Sequence, residues 1–233
     1  MLALTFPDGV ALIFGGSGGI GRGVAEQFAQ AGTAVAVCYN SKRDVAEETV
    51  SKLHALGVKA SAHQADVRHA AAVVAVLADV AAEYGRIHTL VWGAGPVVEQ
   101  IAVADTSPAQ YRRSVEIETL GMYTAVHAVL PHFREQGGGS IVHLGSAGDR
   151  WFPQLDGLSV IPKAANEALV RGIAKEEGAH GIRANSVLGV IEAGMFLELQ
   201  AQGAFDEEWT REVHKLVPLK RWGKPADIGS AAV

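Results

Sequence analysis

Residues 13–23 read Ile13-Phe14-Gly15-Gly16-Ser17-Gly18-Gly19-Ile20-Gly21-Arg22-Gly23, and this glycine-rich stretch decides the fold. It follows an apolar run at 10–14 and precedes an amphipathic segment at 24–29. A strand, a glycine turn and a helix in this order are typical of the first half of a dinucleotide-binding βαβ unit. Glycine suits the turn because the backbone takes unusual angles and phosphates must approach bare main chain. The N-terminus of the next helix would offer free N–H groups and a positive dipole end. The stretch therefore predicts nucleotide binding, with a plain structural turn as the alternative.

Composition excludes several other classes of protein. The chain has 233 residues, of which 48% are hydrophobic, enough for one globular domain with a full core. Its formal net charge of −5 argues against nucleic acid or an anionic membrane as the main partner. Cys38 is the only cysteine, which excludes a disulfide framework and is typical of a buried thiol. The nine histidines lack metal-ligand spacing, so no metal is predicted.

The sequence also lacks targeting signals. No apolar run is long enough to span a bilayer. The N-terminus has neither the basic start nor the apolar core of a signal peptide. We therefore expect a cytoplasmic protein.

Short apolar runs alternate with helical patterns throughout. The expected strands are 10–14, 34–38, 58–62, 87–92, 140–144 and 183–188, and the expected helices after the first are 44–56, 70–84, 108–133 and 162–180. This alternation predicts an α/β fold, a single Rossmann-type doubly wound parallel sheet with helices on both faces. We expect one domain over residues 1–233.

One segment breaks this rhythm. Residues 192–216 follow the last expected strand, where a substrate-covering lid would lie. Phe196, Phe205 and Trp209 in this segment suit a hydrophobic substrate, but they would equally suit a lid that packs on itself.

Further motifs recur at the spacings of a known enzyme family; they are Gly15-x-x-x-Gly19-x-Gly21, Asp66-Val67, Gly93-Ala94-Gly95, Ser146, Lys163 and the blocks 180–187 and 221–228. In these the chain resembles the short-chain dehydrogenases/reductases, of the 3-oxoacyl-(acyl-carrier-protein) reductase kind, over essentially its whole length. The resemblance implies an oxidoreductase that uses NAD(P) and acts on a carbonyl or alcohol. It also implies a homodimer or homotetramer, assembled through the helices that begin near Pro108 and Pro162. The chain ends at Val233 inside an expected helix, so its C-terminal end is expected to be truncated relative to the family.

The resemblance also implies the cofactor contacts. They are Gly15, Ser17, Gly18, Gly19, Ile20, Gly21, Tyr39, Asn40, Ser41, Arg43, Asp66, Val67, Gly93, Ala94, Gly95, Lys163, Gly189 and Ile191.

The end of the second strand favours NADP(H) over NAD(H). An NAD enzyme usually carries a carboxylate there, which binds the ribose 2′-OH. Here the position is Tyr39, and Asn40-Ser41-Lys42-Arg43 follows. With no acid to repel a 2′-phosphate, and with two cations and a hydroxyl nearby, the phosphate is favoured. In the alternative interpretation, Asn40 or Ser41 caps the next helix while Lys42 and Arg43 are solvated.

The catalytic positions depart from the family pattern. In the family a tyrosine donates the proton, a lysine supports it, a serine holds the carbonyl, and an asparagine supports a relay water. The resemblance assigns these roles to positions Ser159, Lys163, Ser146 and Glu118 in that order. Ser159 is a shorter side chain and a poorer acid than tyrosine, and Tyr123 is the last tyrosine in the chain. We therefore expect the usual mechanism to be lost or replaced.

Neighbouring positions depart as well: Trp92-Gly93 replaces two asparagines, Phe14 a threonine, Leu188 a proline and Ala193 a threonine.

Four groups are candidates to replace the tyrosine. Glu118 could pair with Lys163, or it could simply fill the relay pocket. Asp149 and Asp156 could face a substrate, although loop carboxylates are usually solvated. His143 titrates in a suitable range, but a histidine within a strand is more often a core residue.

Two further functions stay open beside the oxidoreductase. One is an NADP(H)-binding protein without redox turnover, with a regulatory or scaffolding role. The other is a non-redox enzyme, an isomerase, cyclase or dehydratase, that reuses the same pocket with Glu118 or an aspartate as its base.

Overall fold

The computed structural model describes residues 5–203 and 205–233, without the side chains of Met195 and Leu216. One parallel sheet is built from six strands, β1 (Val10–Phe14), β2 (Ala34–Tyr39), β3 (Ala60–Gln64), β4 (Ile87–Trp92), β5 (Gly139–Ser146) and β6 (Ile182–Gly189). Their order across the sheet is β3-β2-β1-β4-β5-β6. From β1 the chain runs outward to β3 and then returns to place β4 on the other side of β1. Such a reversal opens a crevice at the carboxyl ends of β1 and β4, where ligands of this architecture bind.

The helices that surround the sheet are α1 (Gly19–Gln30), α2 (Arg43–Ala55), α3 (Ala70–Tyr84), α4 (Pro108–Val115), α5 (Gly121–Glu135), α6 (Gly157–Glu177), α7 (Met195–Ala201), α8 (Glu207–Leu216) and α9 (Pro225–Ala232). Together with the sheet they confirm the predicted Rossmann-type fold. Within the described ranges, no helix combines the length and apolar character needed to cross a bilayer.

The core lies on both faces of the sheet because neighbouring side chains of a strand point to opposite sides. Leu12 and Phe14 of β1 pack with the α3 and α5 side, whereas Ile13 packs with Val24 and the α1 side. All five residues of β1 are buried. A central strand covered on both faces is expected to read as a continuous apolar run, which is how the sequence reads.

Two predicted helices differ from the structure. The helix expected over 108–133 is interrupted by a π-helical turn, Glu116–Leu120, between α4 and α5. The predicted start of the next helix at Pro162 is wrong, because α6 begins at Gly157 and holds Pro162 inside it.

A proline inside a helix leaves one carbonyl without its N–H donor. For Pro162 that carbonyl belongs to Leu158, four residues earlier. The buried Ser114 hydroxyl of α4 donates to it instead. The helix therefore continues through the proline, because a side chain of a neighbouring helix satisfies the freed carbonyl.

Candidate functional site

A cavity of about 430 Å³ lies at the carboxyl edge of the sheet, in the crevice between β1 and β4. One end is formed by the glycine loop after β1, and the other by the segment that contains α7 and α8. Between them lie the segment after β4, the end of β5, the first turns of α6 and the loop after β6. The cavity therefore joins the predicted phosphate loop to the predicted lid.

The glycine loop has the backbone geometry that the sequence suggested. Gly15 has a φ of +79°, and a side chain there would overlap the carbonyl oxygen of Gly93. A side chain at Gly21 would overlap the Gly15 carbonyl. The N–H groups of Gly15 and Gly16 donate to the Cys38 oxygen over 3.1 and 3.2 Å, which fixes the loop to β2.

The start of α1 fits a phosphate group. Its first residue is Gly19, and the preceding Gly18 provides no side-chain cap. The first helical hydrogen bond of this turn runs from Arg22 N to Gly18 O, at 2.9 Å. The N–H groups of Gly19, Ile20 and Gly21 therefore stay available beside the cavity that these residues line, whereas that of Gly18 donates to Gly15 O at 2.9 Å. The bare glycine backbone and these donors fit the pyrophosphate of a dinucleotide.

Predicted cofactor contacts from several parts of the chain meet in the same cavity. Ser17, Gly93, Ala94, Gly95, Gly189, Ile191 and Lys163 all line it. A side chain at Gly93 would approach Leu144 Cδ1 to 2.8 Å, so glycine permits the close packing of β4 on β5 here.

The residues predicted to bind the adenosine half lie outside this cavity. Tyr39 is only 7% exposed and packs in the core cluster on the α1 side of the sheet. Arg43 pairs with Glu47 at 2.7 Å.

The other predicted contacts of this half also lie away from the cavity; they are Asn40, Ser41, Asp66 and Val67. The Asp66 carboxylate is bound by Arg68, which lowers the pKa of Asp66 to about 2. Their roles toward a cofactor stay predictions. Lys42, one of the two cations that favour NADP(H) in the sequence, does line the cavity and lies 3.7 Å from Glu198.

The four predicted catalytic positions, Ser146, Ser159, Lys163 and Glu118, line one cavity. The Ser146 hydroxyl accepts a hydrogen bond from Gly148 N at 3.0 Å, so its own proton is free to point elsewhere. Ser159 is buried in the first turn of α6. Their convergence leaves two hydroxyl groups and one ammonium group facing the same space.

Glu118 and Lys163 form an ion pair at the floor of the cavity. The Glu118 side chain is 3% exposed and that of Lys163 is 18% exposed. Burial raises the pKa of Glu118, and the nearby Lys163 acts in the opposite direction. The Glu118 carboxylate also lies against Gly95, where a side chain would overlap its Oε1. Glu118, at the position where the family carries its asparagine, is therefore a buried ion-pair partner of Lys163.

The π-helical turn places this carboxylate. Asn166 Nδ2 donates to Glu118 O at 3.1 Å, and Thr119 Oγ1 donates to Pro162 O at 3.2 Å. Both bonds tie the turn to α6. Single π-helical turns inside α-helices are frequent at functional sites. The sequence did not reveal this turn, since nothing in its hydrophobic periodicity marks one.

Of the other candidate acids, the structure brings only Asp156 to the cavity. Its carboxyl accepts a hydrogen bond from Gln100 Nε2 at 3.2 Å, and burial raises its pKa, against the effects of Gln100 and Lys163. Asp149 does not line the cavity and lies 3.7 Å from Arg150. Sequence reasoning missed Gln100, whose only signal was its position a few residues after Gly95.

His143 does not line the cavity either. It is fully buried in β5, its Nδ1 lies 3.1 Å from Ser186 Oγ, and burial lowers its pKa to about 4. It is therefore a core histidine. Within the described part of the chain, no three His, Cys, Asp or Glu side chains are placed to hold a metal ion.

The predicted lid carries a cluster of stacked aromatic rings. Phe205 and Trp209 stack with centroids 4.1 Å apart, and Phe196 lies 5.1 Å from both Phe205 and Trp222. Phe196, Phe205 and Trp209 also line the cavity. The rings pack on one another and also present an apolar wall to the cavity, so the fit to a hydrophobic substrate stays a prediction.

Comparisons with known proteins agree with this geometry. A family model described as Enoyl-(Acyl carrier protein) reductase matches residues 15–233. The 3-oxoacyl-(acyl-carrier-protein) reductase FabG of Staphylococcus epidermidis is 28% identical over 94% of this chain and 88% of its own. Sorbose reductase SOU1 of Candida albicans is 33% identical over 95% of this chain and 78% of its own.

Solved structures agree as well. Levodione reductase superposes with a TM-score of 0.91 at 26% identity, over 98% of this chain and 90% of its own. An actinorhodin polyketide ketoreductase variant with NADPH gives 0.88 at 25% identity, over 96% and 88%. NAD⁺-bound xylitol dehydrogenase gives 0.90 at 25% identity, over 98% and 92%. The glycine loop, the parallel sheet and these matches together place the chain in the short-chain dehydrogenase/reductase family of oxidoreductases.

Proposed function

We propose that this protein is an NADP(H)-dependent oxidoreductase that interconverts a hydrophobic carbonyl compound and its alcohol, with a proton donor other than tyrosine. The observation that carries this proposal is the presence of the glycine loop, the apolar wall and the predicted catalytic positions in one cavity. It joins a phosphate-binding glycine loop to an apolar wall, and Ser146, Ser159 and Lys163 lie between them. This arrangement suits a dinucleotide at one end and a carbonyl substrate at the other.

The residues of the chain divide the work along the cavity. A bound dinucleotide supplies or accepts the hydride at its nicotinamide. The backbone from Gly15 to Gly21 would hold the pyrophosphate, and Lys163, which has donors left beside Glu118, would bind the ribose hydroxyls. The hydroxyls of Ser146 and Ser159 would hold the carbonyl oxygen.

The preference for NADP(H) rests on the end of β2. Tyr39 carries no charge to repel a 2′-phosphate, and Lys42 lies on the cavity wall with Arg43 beside it. Solved relatives include one with NADPH and one with NAD⁺, so the residues of this chain decide the proposal. Fluorescence titration with NADPH and NADH tests it: the parent should bind NADPH more tightly, and Lys42→Ala should weaken NADPH binding more than NADH binding. Equal affinities in the parent would contradict the preference.

The substrate proposal rests on the apolar wall. Phe196, Phe205, Trp209, Val97 and Trp151 line the cavity, so an alicyclic or aromatic ketone would bury apolar surface there. The test is NADPH oxidation with a panel of ketones that ranges from acetone to 2-tetralone. Rates should rise with the apolar area of the ketone. No oxidation with any ketone, despite NADPH binding, would overturn the proposal.

One observation favours a second function, an NADP(H)-binding protein without turnover. The lysine that supports tyrosine in the family is here paired with Glu118, and no tyrosine lines the cavity among the described residues. The same experiment separates the two, because this alternative predicts NADPH binding with no oxidation of any ketone.

We also propose a homodimer or homotetramer, as the resemblance implies. Leu120 and Tyr123 stand exposed around the start of α5, within one of the two helices expected to meet in such an assembly. Light scattering coupled to gel filtration tests this, and a monomer at micromolar concentration would contradict it.

A further inference from the structure

The ionisable groups on the cavity wall are few. Among the described residues they are two lysines and three carboxylates, and no tyrosine, histidine or cysteine joins them. Four of the five form ion pairs, Lys42 with Glu198 and Lys163 with Glu118. The remaining group is the carboxyl of Asp156, and its hydrogen-bond partner is the neutral amide of Gln100. Asp156 therefore differs from every other ionisable group in the cavity.

The position of Asp156 relates it directly to the missing tyrosine. Asp156, Ser159 and Lys163 are spaced i, i+3 and i+7, and all three line the cavity. Residues at this spacing lie on one face of a helix, a few ångströms apart. Asp156 thus lies one turn before the position where the family carries its tyrosine, on the same side of α6.

Asp156 lines the cavity, and its carboxyl is bound by Gln100 and not by its own helix. Asp156 is the N-cap residue of α6, a position where an aspartate commonly accepts an N–H bond of the first turn. Its side chain makes no such bond, whereas its backbone oxygen accepts from Ser159 N and Val160 N, at 3.1 and 2.9 Å. A short bridge between Ile101 and Asp156, with Ile101 N donating to Leu155 O at 2.9 Å, holds the two segments together and keeps Gln100 next to the carboxyl.

The surroundings of Asp156 give its carboxyl a pKa above the usual value for aspartate. Burial raises the pKa of Asp156. Two groups act in the opposite direction, Gln100 from the segment after β4 and Lys163 from α6. The positive charge of Lys163 is offset by Glu118, which pairs with it from the π-helical turn. A carboxyl whose pKa is raised keeps its proton to higher pH than an ordinary aspartate, which suits a group that must give up a proton during a reaction.

We propose that Asp156 is the proton donor of this site and takes the role of the absent tyrosine. The inference rests on the proposed function. During reduction, a bound reduced dinucleotide would supply the hydride that forms the new C–H bond at the carbonyl carbon. The electron pair of the C=O π-bond moves to oxygen, which takes the proton of Asp156 while Ser146 and Ser159 hold it. The Asp156 carboxylate is reprotonated from solvent through the cavity mouth, and alcohol oxidation runs through the same steps in reverse.

The test compares Asp156→Asn with Asp149→Asn, a neighbouring loop acid outside the cavity. With NADPH and the best ketone of the panel, Asp156→Asn should lower kcat/KM by about 100-fold or more, the usual contribution of a general acid. Asp149→Asn should leave the pH profile of the parent unchanged. In the parent, the reduction rate should fall as pH rises through the pKa of Asp156, and Gln100→Leu should move that limb to higher pH. A purely structural role of Asp156 would not produce this shift.

A tyrosine placed in the family position provides a second arm. In a Ser159→Tyr background, adding Asp156→Asn should change kcat/KM by less than about threefold, because the phenol then donates the proton. If Asp156→Asn retains the activity of the parent, the inference falls and the proposed function stands. If neither the parent nor Ser159→Tyr oxidises NADPH with any ketone, both the proposed function and the inference that rests on it are wrong.

A readout independent of turnover completes the test. Infrared titration of the cofactor-free protein should show a carboxylic acid C=O band that persists above the usual range of aspartate. That band should be absent in Asp156→Asn and should persist to higher pH in Gln100→Leu. A parent spectrum that matches the Asp156→Asn spectrum at every pH would overturn the inference.

Discussion

The ion pair between Glu118 and Lys163 provides the sharpest prediction about stability. Its partners differ in their access to water, with 3% of the Glu118 side chain and 18% of the Lys163 side chain exposed. We consider Glu118→Gln, Lys163→Met and the double variant. Each single change leaves one ion without its partner, whereas the double variant leaves none.

The asymmetry in exposure sets the magnitudes. In Glu118→Gln, the Lys163 ammonium is still able to take water from the cavity, so we expect a loss of about 1–3 kcal/mol. In Lys163→Met, the Glu118 carboxylate is buried without a counter-charge, so we expect about 3–5 kcal/mol at pH 7.5. The double variant should be more stable than the sum of the two losses predicts, by about 2 kcal/mol.

The pH dependence of the same series separates the two losses. Burial raises the pKa of Glu118, and removing Lys163 removes the charge that opposes this shift. A raised pKa in the folded state means that the folded protein binds the proton first as pH falls, so the stability of Lys163→Met recovers toward pH 5.5. Glu118→Gln has no such group and should show no recovery. Urea unfolding at both pH values measures the free energy of unfolding of each variant. The reasoning would be refuted if the loss in the double variant equalled the sum of the two single losses, or if the two single losses were equal.

Three further predictions concern the scaffold of the site. Ser114→Ala should lower the free energy of unfolding by about 1–3 kcal/mol because the Leu158 carbonyl loses its donor. Adding Pro162→Ala should recover most of this loss, because residue 162 then has a backbone N–H that is able to donate to the same carbonyl. No recovery in urea unfolding would contradict the account of α6. In Gly21→Ala the added methyl group overlaps the Gly15 carbonyl, which should strain the glycine loop by about 1–3 kcal/mol. NADPH binding should weaken about tenfold or more as a result. An unchanged affinity for NADPH in a fluorescence titration would contradict this role of the loop. Burial lowers the pKa of His143 to about 4, so the unfolded state takes up its proton first as pH falls. The stability of the parent should therefore fall by up to about 3 kcal/mol between about pH 6.5 and 4. Thermal unfolding of His143→Gln should show a smaller fall over the same pH range, and an equal fall would contradict the assignment of His143 to the core.

The sequence predicted the sheet and the glycine loop because their signals are local. Buried parallel strands read as apolar runs, and a tight turn beside a phosphate needs glycine, so residues 10–23 already contain the necessary information. The start of α6 was not predictable in this way. Pro162 normally limits a helix, and only the approach of Ser114 from a distant part of the chain allows α6 to continue through it.

The candidate site was predictable to a similar degree. The family spacing led to Ser146, Ser159 and Lys163, and all three line the cavity. The pairing of Glu118 with Lys163 was open as one of two alternatives, and the π-helical turn that enforces it has no sequence signal. Asp156 looked like an ordinary loop acid, because its distinctive property is the contact with Gln100 across a bridge between two distant segments.

The central claim is that hydride passes from a dinucleotide bound at the glycine loop to a carbonyl in this cavity, without a tyrosine. The most direct test uses NADPH deuterated at the transferable position of the nicotinamide, an apolar ketone from the panel and mass spectrometry of the product. The account predicts deuterium at the carbinol carbon, in one stereoisomer, and less deuterated product with Gly21→Ala at a subsaturating concentration of NADPH. Tight binding of NADPH with no deuterated alcohol from any ketone of the panel would contradict the central claim.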